Sequence, residues 1–224
     1  MENSINERLL YLFCILLGGT PKGRNTEQHD VMFAVANQIE DLYDEMKVFW
    51  HRPVVADVTT ELKKLLPGID TSKLGESLLK TLSARDKIHI DAWMKVEYAG
   101  NYKILITPFN TNTAQADRKL YFVNLGGYKE GEFEEFHKKL FVVATGVTDV
   151  MAQLRSHSFM KEYTPVNLGT KAKAHFDDKH ELTFEADDII CVEDIISNYK
   201  LVLEPTTQPG SNETVIGYIP LQYK

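Results

Sequence analysis

Apolar residues fall along the chain in short runs that recur in order. The first, Leu9 to Leu17, is LLYLFCILL and ends at Gly18-Gly19. It is followed by a polar, glycine-bearing stretch and then by DVMFAVA, Asp30 to Ala36. The same succession returns mid-chain as LYFVNLGGYKEGEFEEFHKKLFVVA, residues 120–144. Set against residues 12–36 at an offset of 108, it matches ten of 25 positions without a gap. The shared residues include Gly18/Gly126, Gly19/Gly127, Gly23/Gly131, Glu27/Glu135 and His29/His137. Two further blocks repeat in order. Lys87-Ile-His-Ile-Asp91 faces Lys173-Ala-His-Phe-Asp177 at an offset of 86, and NYKILI (101–106) faces NYKLVL (198–203) at 97. Three ordered blocks identify a tandem duplication.

The repeat arbitrates local structure. Residues 26–49 alone fit one amphipathic helix, because Met32, Phe33, Val35, Ala36, Ile39, Leu42, Tyr43 and Met46 fall at helical spacing. Their counterpart, KKLFVVA, is β-branched and stops at Thr145-Gly146. The pair therefore predicts strand for residues 29–36, helix only from about 37 to 48, and a partner helix at about 148–158. Each copy reads strand, glycine loop, strand, helix, strand, strand. The expected fold class is α+β: a tandem duplication of a ββαββ unit in a pseudo-two-fold arrangement, with mostly antiparallel sheet and helices packed on it.

The first unit spans residues 1–106 and carries an insertion at 54–86, which reads as two helical pieces broken by Pro67-Gly68. Residues 107–119 (TPFNTNTAQADRK) are polar and turn-rich, a linker to the second unit at 120–204. The extension 205–224 turns at Gln208-Pro-Gly-Ser and ends in an apolar run from Val215 to Leu221, predicted to add an edge strand. The acidic run EADDIICVEDI (185–195) reads as a turn followed by a strand. Nine residues of the first apolar run are too few to span a bilayer, and its flank lacks the positive charge of a signal peptide. Its recurrence mid-chain marks it as a strand.

Composition adds limits. The chain has 224 residues, 43% hydrophobic and 25% charged, with a net charge of -7. That is an ordinary globular make-up, and the acidic balance argues against a general nucleic-acid or anionic-membrane binder. Two cysteines, Cys14 and Cys191, are too few for a disulfide framework and sit in apolar runs, as small buried hydrophobes do. A reducing cytoplasm fits.

The candidate chemistry sits on the repeated positions. Glycines let a loop bend tightly or cradle an anion on its N–H groups, yet the spacing is neither a Walker A loop nor a dinucleotide fingerprint. A plain hairpin connection with glycines at its turns is the favoured account. The loops also differ in charge, with Lys22 and Arg24 in the first and Glu130, Glu132, Glu134 and Glu135 in the second. On a strand, alternation puts His89 and Asp91 on one face together with Trp93, and His175 and Asp177 on another. A His beside a carboxylate suits a structural tie, a metal ligand pair or acid–base work.

The candidate ligand-binding set is therefore Gly18, Gly19, Lys22, Arg24, Glu27, His29, His89 and Asp91, with Gly126, Gly127, Glu135, His137, His175 and Asp177 in the second copy. No nucleophile motif such as Gly-x-Ser-x-Gly, Cys-x-x-Cys or His-Glu-x-x-His is present, and no metal or cofactor is assigned.

The phrases LLGGTPKGRNTEQHD, KIHIDAW, NLGGYKEGEFEEFHKKLFVVA and AHFDDKHELTFEADDIICVEDI resemble a bacterial family classed as a domain of unknown function, DUF1543, found in one or two copies per chain. The resemblance leaves out the 54–86 insertion and the C-terminal tail. It implies a soluble bacterial protein and carries no activity or catalytic residue with it. Two readings follow. One is a non-catalytic protein that binds a ligand or partner, with sheet edges open to homo-oligomer formation. The other is a metal-dependent or acid–base enzyme at the seam of the two repeats, using the Glu-x-His and His-x-Asp residues. A close approach of His29 or His137 to a His-x-Asp pair would favour the second.

Overall fold

The structure is a computed structural model and describes residues 9–21, 23–85, 87–109, 117–128, 133–155, 157–158, 185–196 and 198–221. Lys22, His175, Asp177, Glu130 and Glu132 lie outside the described residues, as does most of the 107–119 stretch. The fold is α+β and mostly antiparallel, in agreement with the periodicity. Contacts divide the chain into two units, residues 1–97 with 211–224, and residues 98–210.

The first unit is built on β1 (Tyr11–Gly19), which runs antiparallel to β2 (Gln28–Ala36) on one side and to β3 (Ile88–Lys95) on the other. As a central strand β1 reads as a nearly continuous apolar run, the pattern of a strand covered on both faces. Phe13, Ile15 and Leu17 point to one face and pack with Met32, Ala34, Ile88 and Ile90. A 3-10 turn, Ile39–Leu42, and α1 (Tyr43–Leu65) cover that face with Ile39, Leu42 and Met46.

The helix begins later than its spacing predicts and does not stop near residue 48. It runs through Pro53 to Leu65, so the first half of the expected insertion is its continuation. Pro53 removes one backbone hydrogen bond from the helix, and the ion pairs Lys47–Asp44 at 3.1 Å and Lys64–Glu61 at 2.6 Å lie on either side of it. Gly68, at φ 95°, then turns the chain into α2 (Ser72–Arg85), where the Pro-Gly break was expected.

The C-terminal strand, β10 (Thr214–Pro220), pairs with the outer side of β3, as the tail pattern predicts, and gives the order β10-β3-β1-β2.

In the second unit β6 (Lys119–Tyr128) lies between β7 (Glu135–Ala144) and β8 (Glu185–Cys191). Tyr121, Val123 and Leu125 pack with Val150 and Leu154 of α3 (Val147–Leu154). The acidic run reverses its predicted order: it is a strand first, then the helical turn Val192–Ile195. That turn closes because Glu193 reaches back to accept the Leu120 N–H at 3.2 Å. A third sheet holds β4 (Tyr98–Ala99), β5 (Tyr102–Pro108) and β9 (Tyr199–Pro205).

The fourth strand of each expected ββαββ copy therefore leaves its own sheet. β5 and β9 pair antiparallel with each other, and Leu105 stands opposite Val202, its match at the offset of 97.

Candidate functional site

The glycines at 18 and 19 belong to β1 and not to the loop that follows it. In the sheet register Gly18 stands opposite His29 on β2 and opposite His89 on β3. Residues in register point to one face, so His29 and His89 flank a glycine from two strands that are about 10 Å apart. A Cβ on Gly18 would lie 2.5 Å from Asp91 Oδ2 and 2.6 Å from His89 Nε2. The missing side chain is the floor of the site. Gly19 serves a second close approach, with Trp50 Cζ2 at 3.1 Å from where its Cβ would sit.

Asp91 enters this slot through a β-bulge. Leu17 pairs with Ile90 and Leu16 with Ala92, which leaves Asp91 as an extra residue without a partner on β1. The bulge resets the alternation along β3. Trp93 therefore packs on the Phe13 face, ring centroids 5.8 Å apart, and not beside His89 and Asp91 as strict alternation predicts. His89 and Asp91 do share the glycine face.

Four side chains close a ring above Gly18. His89 Nε2 lies 2.9 Å from Glu27 Oε1 and 3.1 Å from Asp91 Oδ1. His29 Nε2 lies 3.2 Å from Asp91 Oδ2 and 3.7 Å from Glu27 Oε2. Each carboxylate thus bridges both imidazoles, one oxygen to each. Asp91 Oδ2 is shielded from solvent, and His29 meets it by proximity without the direction of a hydrogen bond. The ring opens on one side only, with His89 4% exposed and His29 47%. Tyr218 of β10 closes the His89 side, its ring centroid 4.1 Å from the imidazole. No sequence signal marks Tyr218, because only the pairing of β10 with β3 brings it there.

Such a ring can hold and move protons. Two imidazoles supply N–H donors or lone pairs, and two carboxylates supply acceptors at fixed positions. Among the described residues no group of three or more His, Cys, Asp or Glu is disposed to hold a metal ion. Arg24 stays in the exposed turn where its N–H bonds Pro21 O at 3.1 Å, and it joins none of the four contacts.

The second sheet repeats part of the frame. Gly126 stands opposite His137 on β7, and Gly127 opposite Phe136. Glu135 and His137 approach to 3.8 Å. On its other side Gly126 stands opposite Glu185, the register position that His89 holds beside Gly18 in the first sheet. Asp187 is the bulged residue, between the pairs Leu125–Ala186 and Asn124–Asp188. Glu185 and Asp187 thus stand 96 residues after His89 and Asp91 in the register, whereas the block at an offset of 86, with His175 and Asp177, lies outside the described residues.

Residues 24–55 match the family model described as Domain of Unknown Function (DUF1543). That segment runs from the end of the glycine hairpin through β2 into α1 and includes Glu27 and His29. No curated protein matches the chain. Among solved structures, protein Il1583 from Idiomarina loihiensis is similar, with 22% identity and a TM-score of 0.52, over 96% of this chain and 99% of that one. The likeness supports the fold. Among the described residues no helix is long and apolar enough to cross a membrane.

Proposed function

We propose that Glu27, His29, His89 and Asp91 form a general acid–base site acting on a small polar substrate that enters from the His29 side. The observation that carries this reading is the ring itself. An exposed imidazole touches two carboxylates, and both of those touch a buried imidazole at 2.9 and 3.1 Å. His29 is then the group that exchanges a proton with the substrate. Asp91 and Glu27 orient it and share the charge that develops, and His89 fixes both carboxylates from below. All four groups come from the first unit, so this site does not need the second repeat.

A panel of small hydroxy acids, ketones and esters, read by turnover and by solvent-deuterium exchange, tests the reading. The wild-type protein should act on at least one class, and His29→Gln should lower the rate by about 100-fold or more. Binding without turnover would instead support a non-catalytic ligand site. A rate unchanged in His29→Gln would remove the acid–base role.

The second sheet is read as a diverged copy of the first. The shared strand order, the Gly–His register and the bulge at Asp91 and Asp187 support common descent.

A further inference from the structure

A cavity of about 480 Å³ opens in the second unit. Its walls come from the β4–β5 hairpin (Ala99 to Tyr102), from Phe141, Val142 and Val143 of β7, from Asp149 and Gln153 of α3, and from Arg118. Three features define what it can hold.

The first is size, since the volume lies within the range of small-molecule sites. The second is the wall. Among the described residues β7 is the edge of its sheet, and it lines the cavity with Phe141 and Val143 from one face and Val142 from the other.

The third is an exposed cation that Asp149 meets at ion-pair distance only. Arg118 Nη1 lies 3.7 Å from Asp149 Oδ2, beyond hydrogen-bond length. The Asp149 carboxylate is already engaged: Thr145 donates its N–H at 3.0 Å and its hydroxyl at 3.2 Å, and Gln153 donates Nε2 at 3.2 Å. Asp149 therefore anchors the start of α3 and holds Arg118 in place by charge alone. Among the described residues the guanidinium makes no hydrogen bond, and its side chain is 44% exposed at the cavity. A planar fork of five donors beside an apolar wall is suited to a flat oxyanion carried on an apolar body.

We propose that this cavity binds a small organic acid. Its carboxylate or phosphate pairs with Arg118, and its apolar body lies along Phe141 and Val142.

The test is a set of probe titrations on the full chain, followed by amide chemical shifts of Gly100, Asn101 and Val142. Benzoate and phenyl phosphate serve as anionic probes, benzyl alcohol as their neutral analogue, and inorganic phosphate as the anion without a body. Benzoate or phenyl phosphate should bind, and the stronger of the two identifies the oxyanion. Benzyl alcohol and inorganic phosphate should each bind at least about tenfold more weakly. Arg118→Gln should lose about tenfold or more, whereas Arg155→Gln, beyond the end of α3, should change nothing. Arg118→Lys should fall between, since it keeps the charge and loses the fork. Equal binding of benzyl alcohol, equal binding by Arg118→Gln, or no shift with either anionic probe would each overturn the proposal.

Discussion

Asp91 Oδ2 lies 3.2 Å from His29 Nε2, although β1 runs between the strands that carry them. Two departures from regular β structure make the contact. Gly18 leaves the intervening strand without a side chain at that level, and the bulge in β3 supplies Asp91 as an extra residue. Either change alone would leave the carboxylate and the imidazole apart. A glycine in a central strand weakens the sheet, so its presence beneath two imidazoles and a carboxylate is a cost tied to the site.

Gly18→Ala tests that cost against a neutral background. A methyl group 2.5 Å from Asp91 Oδ2 forces the ring open, with an expected loss of about 1–3 kcal/mol. Gly75→Ala on α2 should act in the opposite sense. Its Cβ would meet Val55 and Thr59 at ordinary contact distances of 3.6 and 3.7 Å, and alanine favours helix by up to about 1 kcal/mol. Chemical unfolding of the two variants should therefore move to opposite sides of the wild type.

The two histidines of the ring should separate in the same assay. His89 is buried between two carboxylates under Tyr218, and His89→Ala removes its contacts to both and leaves a cavity, at a cost of about 1–3 kcal/mol. His29 is half exposed, and its contacts are surface ion pairs worth about 0–1 kcal/mol. Equal losses in the two variants would contradict a buried anchor beneath an exposed working group.

Much of this was legible in the sequence, and the failures have physical causes. The repeat placed β2 as a strand against its own helical periodicity, and it singled out Gly18, Glu27 and His29 because they recur. The Glu-x-His and His-x-Asp pairs of the first copy do meet. Trp93 was misplaced because a bulge depends on pairing with β1 and leaves no mark in local alternation. The register opposite Gly126 holds Glu185, a position no sequence pattern singles out. Tyr218 could not be found at all, since its approach to His89 exists only once β10 has paired with β3.

The acid limb of stability should carry two opposite contributions. Hydrogen bonds from Thr145 and Gln153 hold Asp149 below its ordinary 3.8. A depressed carboxylate stabilises the fold above its unfolded pKa, and that gain is lost as pH falls through the lower folded value. Burial pushes Glu193 above its ordinary 4.5. A raised carboxylate instead costs stability as pH climbs from 4.5 through its folded value. Asp149→Asn should thus be less stable than the wild type near pH 6, with the gap closing below about pH 3.8. Glu193→Gln should lose the decline that begins near pH 4.5 and still accept the Leu120 N–H. Unfolding midpoints from pH 3 to 7 distinguish the two signs.

Cys191 gives the last prediction. Burial, and then the neighbouring Glu193 carboxylate, push its thiol up to about 11 from an ordinary 9.0. Its Sγ lies 3.6 Å from Glu193 Oε2, where the S–H is held as a donor. Nucleophilic attack needs the thiolate, and a rise of two units leaves about 100-fold less of it at pH 8. In a Cys14→Ala background, alkylation of Cys191 should therefore run about 100-fold slower than that of a free thiol. Adding Glu193→Gln should recover part of the rate, because it removes the negative charge and leaves the burial. Labelling of Cys191 at the free-thiol rate would show that β8 and the helical turn after it do not protect the sulfur, and would also undo the account of Glu193 as the residue that closes that turn.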